Sequence, residues 1–279
     1  MACSAPAGTL PRPRTAPAAD PWLRRLRPGP AHPAAAAARI VCFPHAGGGA
    51  GAYRRLATAV AARTADARPH ELLALQYPGR NDRIREGRIE ELTELAAGAH
   101  RALAPLADRP LVLLGHSMGA LVAYETARLL ERDGLRPAHL IASGAWAPTR
   151  VRGGTVHLRD DDGLIDEIRR TQGTDPRLLD HRDVLAMALP VVRSDYKAVE
   201  TYRHCSGPPL AAPVTALVGD RDPLVTVDEA AAWAEHTTGG FRLRVFPGGD
   251  HFYLTGHWAE VADHLVSAPP RPLAALAAP

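Results

Sequence analysis

The residues best suited to chemistry lie in segment 115–119, where Gly115 and Gly119 flank Ser117 at two residues' distance. The segment follows an aliphatic run at 111–114 and precedes a helix-forming run. A chain that turns abruptly from strand to helix strains the serine backbone, and glycine at both flanking positions prevents side-chain collisions. The spacing predicts a nucleophile elbow with Ser117 as the nucleophile. A strand-to-helix turn with an incidental serine is the alternative.

A serine hydroxyl needs a general base within hydrogen-bond reach and a third group that fixes the tautomer of that base. Behind an elbow of this type the chain order is serine, then acid, then histidine. His251 follows the last predicted strand, on a loop whose two glycines give an imidazole room to reach the serine. We predict that His251 is the general base. His116 adjoins Ser117, but we expect it to point away on the other side of the turn.

Two aspartates compete for the acid, because Asp220 and Asp222 both follow the predicted strand at 214–218. Asp220 lies at the strand exit, where a turn-forming aspartate is common. Pro223 fixes the backbone directly after Asp222 and helps to hold its carboxylate. These features favour Asp222.

Acyl transfer also needs backbone N–H groups aimed at the oxyanion that develops in the transition state. The N–H of Met118, at the start of a helix, is one candidate donor. A glycine-rich turn at 43–49 follows the first strong strand and is the usual source of the second donor in such a fold. A phosphate-binding role for these glycines is weakly supported, because no Gly-Lys-Ser/Thr sequence follows them.

Short aliphatic runs that alternate with helical segments must position these residues. The runs are continuous rather than alternating in polarity, which is typical of parallel strands covered by helices on both faces. Strands are predicted at 40–43, 71–75, 111–114, 139–143, 214–218 and 241–246, with helices near 51–66, 89–106 and 118–133. The pattern predicts an α/β fold with a mostly parallel, doubly wound sheet. Segment 147–206 has helical stretches (161–171, 183–189 and 191–202) and no convincing strand, which favours a lid insertion over ordinary crossover helices.

Length and composition narrow the class of protein. A chain of 279 residues with 46% hydrophobic residues fits one large domain. The net charge of +3 comes almost entirely from arginine, with Lys197 the only lysine, and this is no nucleic-acid signature. No apolar run reaches the roughly 20 residues of a membrane span. Three scattered cysteines fit neither a disulfide framework nor a zinc site, so we expect a cytoplasmic protein without metal.

The two ends of the chain differ from the middle. Residues 1–37 are rich in Pro and Ala and are predicted to be a largely disordered extension, although segment 21–26 is an apolar patch suited to docking on the domain. The catalytic domain is predicted at 38–268. Residues 269–279 are expected to form a flexible tail.

Six motifs in one order carry a resemblance to a known family. They are Phe-Pro-His-Ala-Gly-Gly at 43–48, Gln-Tyr-Pro-Gly-Arg at 76–80, the elbow at 115–119, Arg-Ser-Asp-Tyr at 193–196, Gly-Asp-Arg-Asp-Pro at 219–223 and Pro-Gly-Gly-Asp-His-Phe at 247–252. From about Trp22 to His257 the chain resembles the stand-alone type II thioesterases of polyketide and nonribosomal peptide synthesis, members of the α/β-hydrolase superfamily.

The resemblance implies an α/β-hydrolase fold with a helical lid at about 147–206. It implies hydrolysis of acyl thioesters on the phosphopantetheine arm of an acyl or peptidyl carrier protein, which clears stalled or wrongly primed acyl groups. By position, the family's triad falls on Ser117, Asp222 and His251, and its oxyanion donors fall on the amides of Ala46 and Met118. No cofactor is implied beyond the phosphopantetheine of the substrate, and we expect a monomer.

Two other functions remain open at this stage. A general carboxylesterase or lipase shares the same triad, and a non-catalytic carrier-protein binding module is a third possibility that the intact triad argues against. As a docking surface for an acidic carrier protein, the sequence offers Arg80, Arg83, Arg85 and Arg88. A solvated helix start would account for the same arginines.

Overall fold

The computed structural model of the chain describes residues 20–26, 36–64, 69–150, 153–171 and 181–267. Most of the predicted N-terminal extension and the whole of the predicted C-terminal tail at 269–279 lie outside the described residues.

One mixed sheet of seven strands organises the described residues, and its spatial order is β1-β3-β2-β4-β5-β6-β7. The strands are β1 (Leu23–Arg25), β2 (Arg39–Phe43), β3 (Glu71–Leu75), β4 (Leu111–His116), β5 (His139–Ser143), β6 (Val214–Gly219) and β7 (Phe241–Phe246). Strands β2 to β7 pair in parallel, and only β1 is antiparallel to its neighbour. The predicted α/β class with a mostly parallel, doubly wound sheet is confirmed.

Helices cover both faces of the sheet. The α-helices of the described residues are α1 (Arg54–Arg63), α2 (Leu92–Leu103), α3 (Met118–Arg132), α4 (Asp161–Thr171), α5 (Arg182–Thr201), α6 (Val227–Ala231) and α7 (Trp258–Val266). Helices α2 and α3 pack on one face, and α1 and α7 pack on the other. Every residue of β2 to β6 is buried, which explains why these strands read as continuous aliphatic runs. Within the described parts of the chain, no helix has the length and apolarity needed to cross a membrane.

Strand β1 is an element that the sequence analysis did not predict. Its three residues pair with β3, so that Leu23 lies opposite Leu75 at the edge of the sheet. Trp22 precedes the strand and packs over α2, where any side chain at Gly98 would meet the indole ring at 2.2 Å. The apolar patch at 21–26 therefore docks by adding a strand rather than by surface contact alone.

The segment between β5 and β6 contains α4, α5 and short 3-10 helices, and its described part contains no extended strand. Helix α5 is continuous through Pro190, whereas the sequence predicted two helices on either side of that proline. Interior proline normally breaks a helix because it removes a backbone donor and crowds the preceding turn. Leu189 and Val192 on either side of Pro190 are buried against Leu164 of α4, and this packing keeps α5 in one piece.

Candidate active site

Ser117 lies on the tight turn between β4 and α3, with φ 54° and ψ −124°. This positive φ is rare for a residue with a side chain. A Cβ atom on Gly115 would lie 2.2 Å from the carbonyl oxygen of Gly119, and one on Gly119 would lie 2.0 Å from that of Phe43. The two glycines therefore let the turn close tightly enough to present the Ser117 hydroxyl, as the spacing predicted.

His251 and Asp222 lie on the loops that follow β7 and β6, and the sheet brings these loops together. The distance from His251 Nδ1 to Asp222 Oδ2 is 2.8 Å, and both side chains are buried. The other carboxylate oxygen of Asp222 accepts a hydrogen bond from the Leu224 N–H at 2.8 Å. A Cβ atom on Gly219 would lie 2.1 Å from the carbonyl oxygen of Gly249, so glycine allows the two loops to pack directly.

Asp220, the competing acid, has a different position. Its carboxylate is solvent-exposed and accepts a hydrogen bond from the Gly248 N–H at 2.6 Å. It thus fixes the turn that leads to His251 without contacting the imidazole. The structure brings Asp222, and not Asp220, to the histidine.

Ser117 and His251 open into one cavity of about 430 Å³. Its wall is mainly apolar, and helices α4 and α5 supply a large part of it. The apolar lining residues include Trp146, Ile168, Val184, Leu185, Ala188, Val192, Leu224 and Phe252. An aliphatic or aromatic acyl group would be desolvated in such a cavity with its carbonyl carbon near the serine.

The two proposed oxyanion donors border the same cavity. Met118 is the first residue of α3, so its N–H has no partner within the helix. Ala46 lies on the glycine-rich turn after β2. Neither N–H donates a hydrogen bond to another of the described residues. Both donors are therefore available to an oxygen atom bound in the cavity.

His116 differs from the expectation that it points away from the site. Its buried ring lies 5.1 Å from the ring of His251, centroid to centroid. Its Nδ1 lies 3.0 Å from Ser143 Oγ, which in turn lies 2.6 Å from the Tyr253 hydroxyl. Burial, together with the nearby His251 and His45, lowers the pKa of His116 well below its usual value. A neutral imidazole thus packs behind the predicted general base.

The predicted docking arginines are only partly at the surface. Arg80 and Arg83 are buried: Arg80 pairs with Asp195, and Arg83 donates to the Gln76 carbonyl oxygen at 2.7 Å. Arg85 and Arg88 are exposed. The prediction that Arg80 and Arg83 belong to a docking surface is therefore wrong, because both guanidinium groups bind partners inside the molecule.

The arrangement is suited to nucleophilic acyl transfer. It combines a strained, cavity-facing serine, a histidine held by a buried carboxylate, and two free backbone donors. Among the residues that the structure describes, no group of three or more His, Cys, Asp or Glu side chains is placed to hold a metal ion.

Comparison with protein-family models matches residues 38–268 to the thioesterase domain. A probable cadicidin biosynthesis thioesterase of Streptomyces griseus is 47% identical over 88% of this chain, which spans 65% of that relative's length. Thioesterase PikA5 of Streptomyces venezuelae is 44% identical over 88% of this chain and 85% of its own.

Among solved structures, the chain is similar to the type II thioesterase BorB from the borrelidin biosynthetic cluster. The two share 43% sequence identity with a TM-score of 0.80, over 90% of this chain and 98% of BorB. The thioesterase RedJ from the prodiginine pathway of Streptomyces coelicolor has 35% identity and a TM-score of 0.77, over 91% of this chain and 97% of its own.

Proposed function

The chain belongs to the thioesterase domain family, and on that premise we propose that it is a type II thioesterase of polyketide or nonribosomal peptide biosynthesis. Its proposed substrates are acyl thioesters on the phosphopantetheine arm of acyl or peptidyl carrier proteins. The names of the two Streptomyces relatives and of BorB support this substrate class. Removal of aberrant or stalled acyl groups is the proposed purpose of the reaction.

In the proposed acylation step, Ser117 Oγ attacks the thioester carbonyl carbon while His251 Nε2 takes the hydroxyl proton. The carbonyl oxygen becomes an oxyanion, which accepts hydrogen bonds from the Ala46 and Met118 amides. The C–S bond then breaks, and the pantetheine sulfur leaves with the proton from His251. The acyl group remains on Ser117 as an ester.

In the proposed deacylation step, water repeats the attack with His251 as base. The tetrahedral intermediate uses the same two amides, and its collapse returns the proton to Ser117 Oγ and releases the free acid. Asp222 keeps the Nδ1 proton of His251 in place throughout, which leaves Nε2 free to accept a proton from serine or water.

The observation that carries this proposal is the 2.8 Å contact between His251 and the fully buried side chain of Asp222, at the cavity that Ser117 also lines. A buried carboxylate against Nδ1 selects the imidazole tautomer that a serine nucleophile needs.

The test is hydrolysis of a butyryl group loaded on a carrier protein, with Ser117→Ala as the decisive variant. We expect the variant to lose at least about 10³-fold in kcat, because no acyl-enzyme can form without the hydroxyl. Undiminished turnover by Ser117→Ala would refute the serine mechanism. The exposed Ser267→Ala is the matched control and should retain wild-type rates.

The same assay separates the carrier-bound thioesterase from a general esterase and from a binding module. We expect a higher kcat/KM for butyryl carrier protein than for a free butyryl ester. A preference for the free ester would favour a general carboxylesterase. Carrier-protein binding without any turnover would favour a non-catalytic module.

A further inference from the structure

The glycine-rich turn that carries Ala46 is held from outside by a buried ion pair. Asp195 of α5 accepts a hydrogen bond from the Gly47 N–H at 2.7 Å. Arg80 donates to both oxygens of the same carboxylate at 2.7 Å and to the Gly48 carbonyl oxygen at 3.0 Å. The peptide groups on the C-terminal side of Ala46 are thereby fixed by side chains from two distant parts of the chain.

The pair is almost fully removed from solvent, with side-chain exposures of 5% for Arg80 and 0% for Asp195. Two charges at such depth lose much of their hydration, so a buried pair adds little net stability compared with well-packed apolar residues. A bidentate Arg–carboxylate pair does, however, strongly fix the relative orientation of its two side chains. The main effect of the pair is therefore to fix the geometry of the turn rather than to add stability.

Further contacts hold the same turn in place. Gln76 accepts a hydrogen bond from the Ala50 N–H at 3.1 Å and donates to the Arg80 carbonyl oxygen at 3.4 Å. Gly47 has φ +76°, and a Cβ atom there would lie 2.8 Å from a methyl group of Val192 on α5. The motifs at 76–80 and 193–196, which the proposed chemistry leaves without a role, thus meet at this turn.

We propose that Asp195, paired with Arg80, is a positioning residue that aims the Ala46 amide at the oxyanion by tying the turn at 45–49 to helix α5. The inference rests on the proposed acyl-transfer function. Val192 and Val199 lie three and four residues from Asp195 on the same side of the helix, and both line the cavity. The helix that forms the wall of the cavity therefore also holds one oxyanion donor.

The decisive variant is the double substitution Arg80→Met with Asp195→Leu. Apolar residues of similar size are tolerated in place of a buried ion pair, so the fold is retained while Gly47 loses its acceptor. The oxyanion exists only in the transition state, so kcat for butyryl-N-acetylcysteamine should fall while KM changes little. A displacement of about 1 Å corresponds to a loss of about 100-fold.

A second measurement distinguishes positioning from general damage. Butylboronic acid forms a tetrahedral adduct with a serine nucleophile and places an oxygen at the oxyanion site, so its affinity should fall in parallel with kcat. In the double variant Arg80→Met with Asp195→Asn, position 195 keeps an acceptor oxygen for the Gly47 N–H. We expect this variant to recover part of both losses.

The matched control replaces another buried pair. Arg39 and Glu71 lie 3.0 Å apart on neighbouring strands β2 and β3, away from the turn at 45–49. Arg39→Met with Glu71→Leu should change the melting temperature and leave kcat and boronate affinity at wild-type values. Equal losses of kcat in the two double variants would overturn the positioning role.

Other outcomes are equally decisive. A cooperatively melting Arg80→Met, Asp195→Leu variant with wild-type kcat and boronate affinity would overturn the inference. If that variant does not fold, Arg80→Lys keeps the charge but loses the bidentate fork, and an unchanged kcat in it would overturn the inference as well. Absence of thioester turnover in the wild-type protein would instead refute the proposed function.

Discussion

At the residue scale, Asp222 illustrates how one carboxylate can serve two partners. Oδ1 accepts hydrogen bonds from the backbone N–H groups of Leu224 and Val225, at 2.8 and 3.3 Å, while Oδ2 faces His251. These two backbone N–H groups therefore fix the rotation of the carboxylate independently of His251. Because the two oxygens have different partners, the orientation of an asparagine side chain at position 222 can be predicted.

We expect Asp222→Asn to lower kcat by about 10⁴-fold, the order found when a triad aspartate becomes an amide. The two backbone N–H groups would hold the amide oxygen on their side, so the NH2 group would face His251 Nδ1. That arrangement favours the tautomer with its proton on Nε2, which cannot accept a proton from Ser117. Steady-state kinetics with a small thioester measure the loss.

Asp220→Asn is the matched control for this prediction. Asp220 is exposed and contacts the Gly248 N–H, and an asparagine oxygen can accept the same hydrogen bond. We expect kcat to stay within a few-fold of wild type. If Asp220→Asn proved as damaging as Asp222→Asn, the acid would not be specific to position 222.

The site residues that could be predicted from sequence are those whose backbone geometry requires particular residue types close by in the chain. Ser117 was identified by flanking glycines that its tight turn requires, and His251 by its loop after the last strand. Arg80 and Asp195 each lie in a sequence motif, but their pairing could not be predicted, because the two residues lie 115 positions apart and meet only in the fold. For the same reason the sequence could not tell that His116 packs beside His251.

At the scale of elements, the buried parallel strands could be predicted from sequence, whereas strand β1 and the continuity of α5 could not. Strands β2 to β6 are buried throughout, and burial on both faces demands the unbroken aliphatic runs that sequence reveals. Strand β1 has only three residues, too few to show a polarity pattern, so its pairing with β3 depends on tertiary contacts. The continuity of α5 through Pro190 likewise comes from packing against α4, which local propensity does not encode.

Helix α5 gives a prediction about acyl selectivity. Ala188 lines the cavity, and Ala188→Phe would fill space that the proposed acyl chain occupies. Each excluded methylene forfeits about 0.8 kcal/mol of burial, or about fourfold in kcat/KM. In Ala188→Phe we expect kcat/KM to fall for long acyl chains and to stay near the wild-type value for short ones. A series of acyl-N-acetylcysteamine thioesters measures this profile.

Met187→Phe is the control, because Met187 is the neighbouring residue on α5 but is 59% exposed and does not line the cavity. It should leave the chain-length profile unchanged. A uniform loss across all chain lengths in Ala188→Phe would mean that the acyl chain does not lie against α5.

At the scale of the whole molecule, buried histidines link stability to pH. Burial lowers the pKa of His45, His139 and His236 to about 4, and it also lowers that of His116 well below its usual value. The unfolded chain binds protons at these positions below about pH 6.5, where the folded chain does not. The free energy of unfolding must therefore fall as the pH drops below about 6.5, with each histidine adding up to about 1.4 kcal/mol per pH unit.

His139 allows this linkage to be tested away from the candidate site. Its Nε2 lies 2.8 Å from Thr215 Oγ1, and burial followed by the positive charge of Arg242 lowers its pKa. Glutamine can keep a hydrogen bond to Thr215 and does not titrate, so His139→Gln should lose less stability than wild type between about pH 7 and about pH 5. Urea unfolding at the two pH values gives the comparison, with the exposed His181→Gln as control. A pH dependence identical in wild type, His139→Gln and His181→Gln would show that His139 takes no part in the acid sensitivity, whereas a flatter dependence in His139→Gln alone would assign it one of the protons taken up on unfolding.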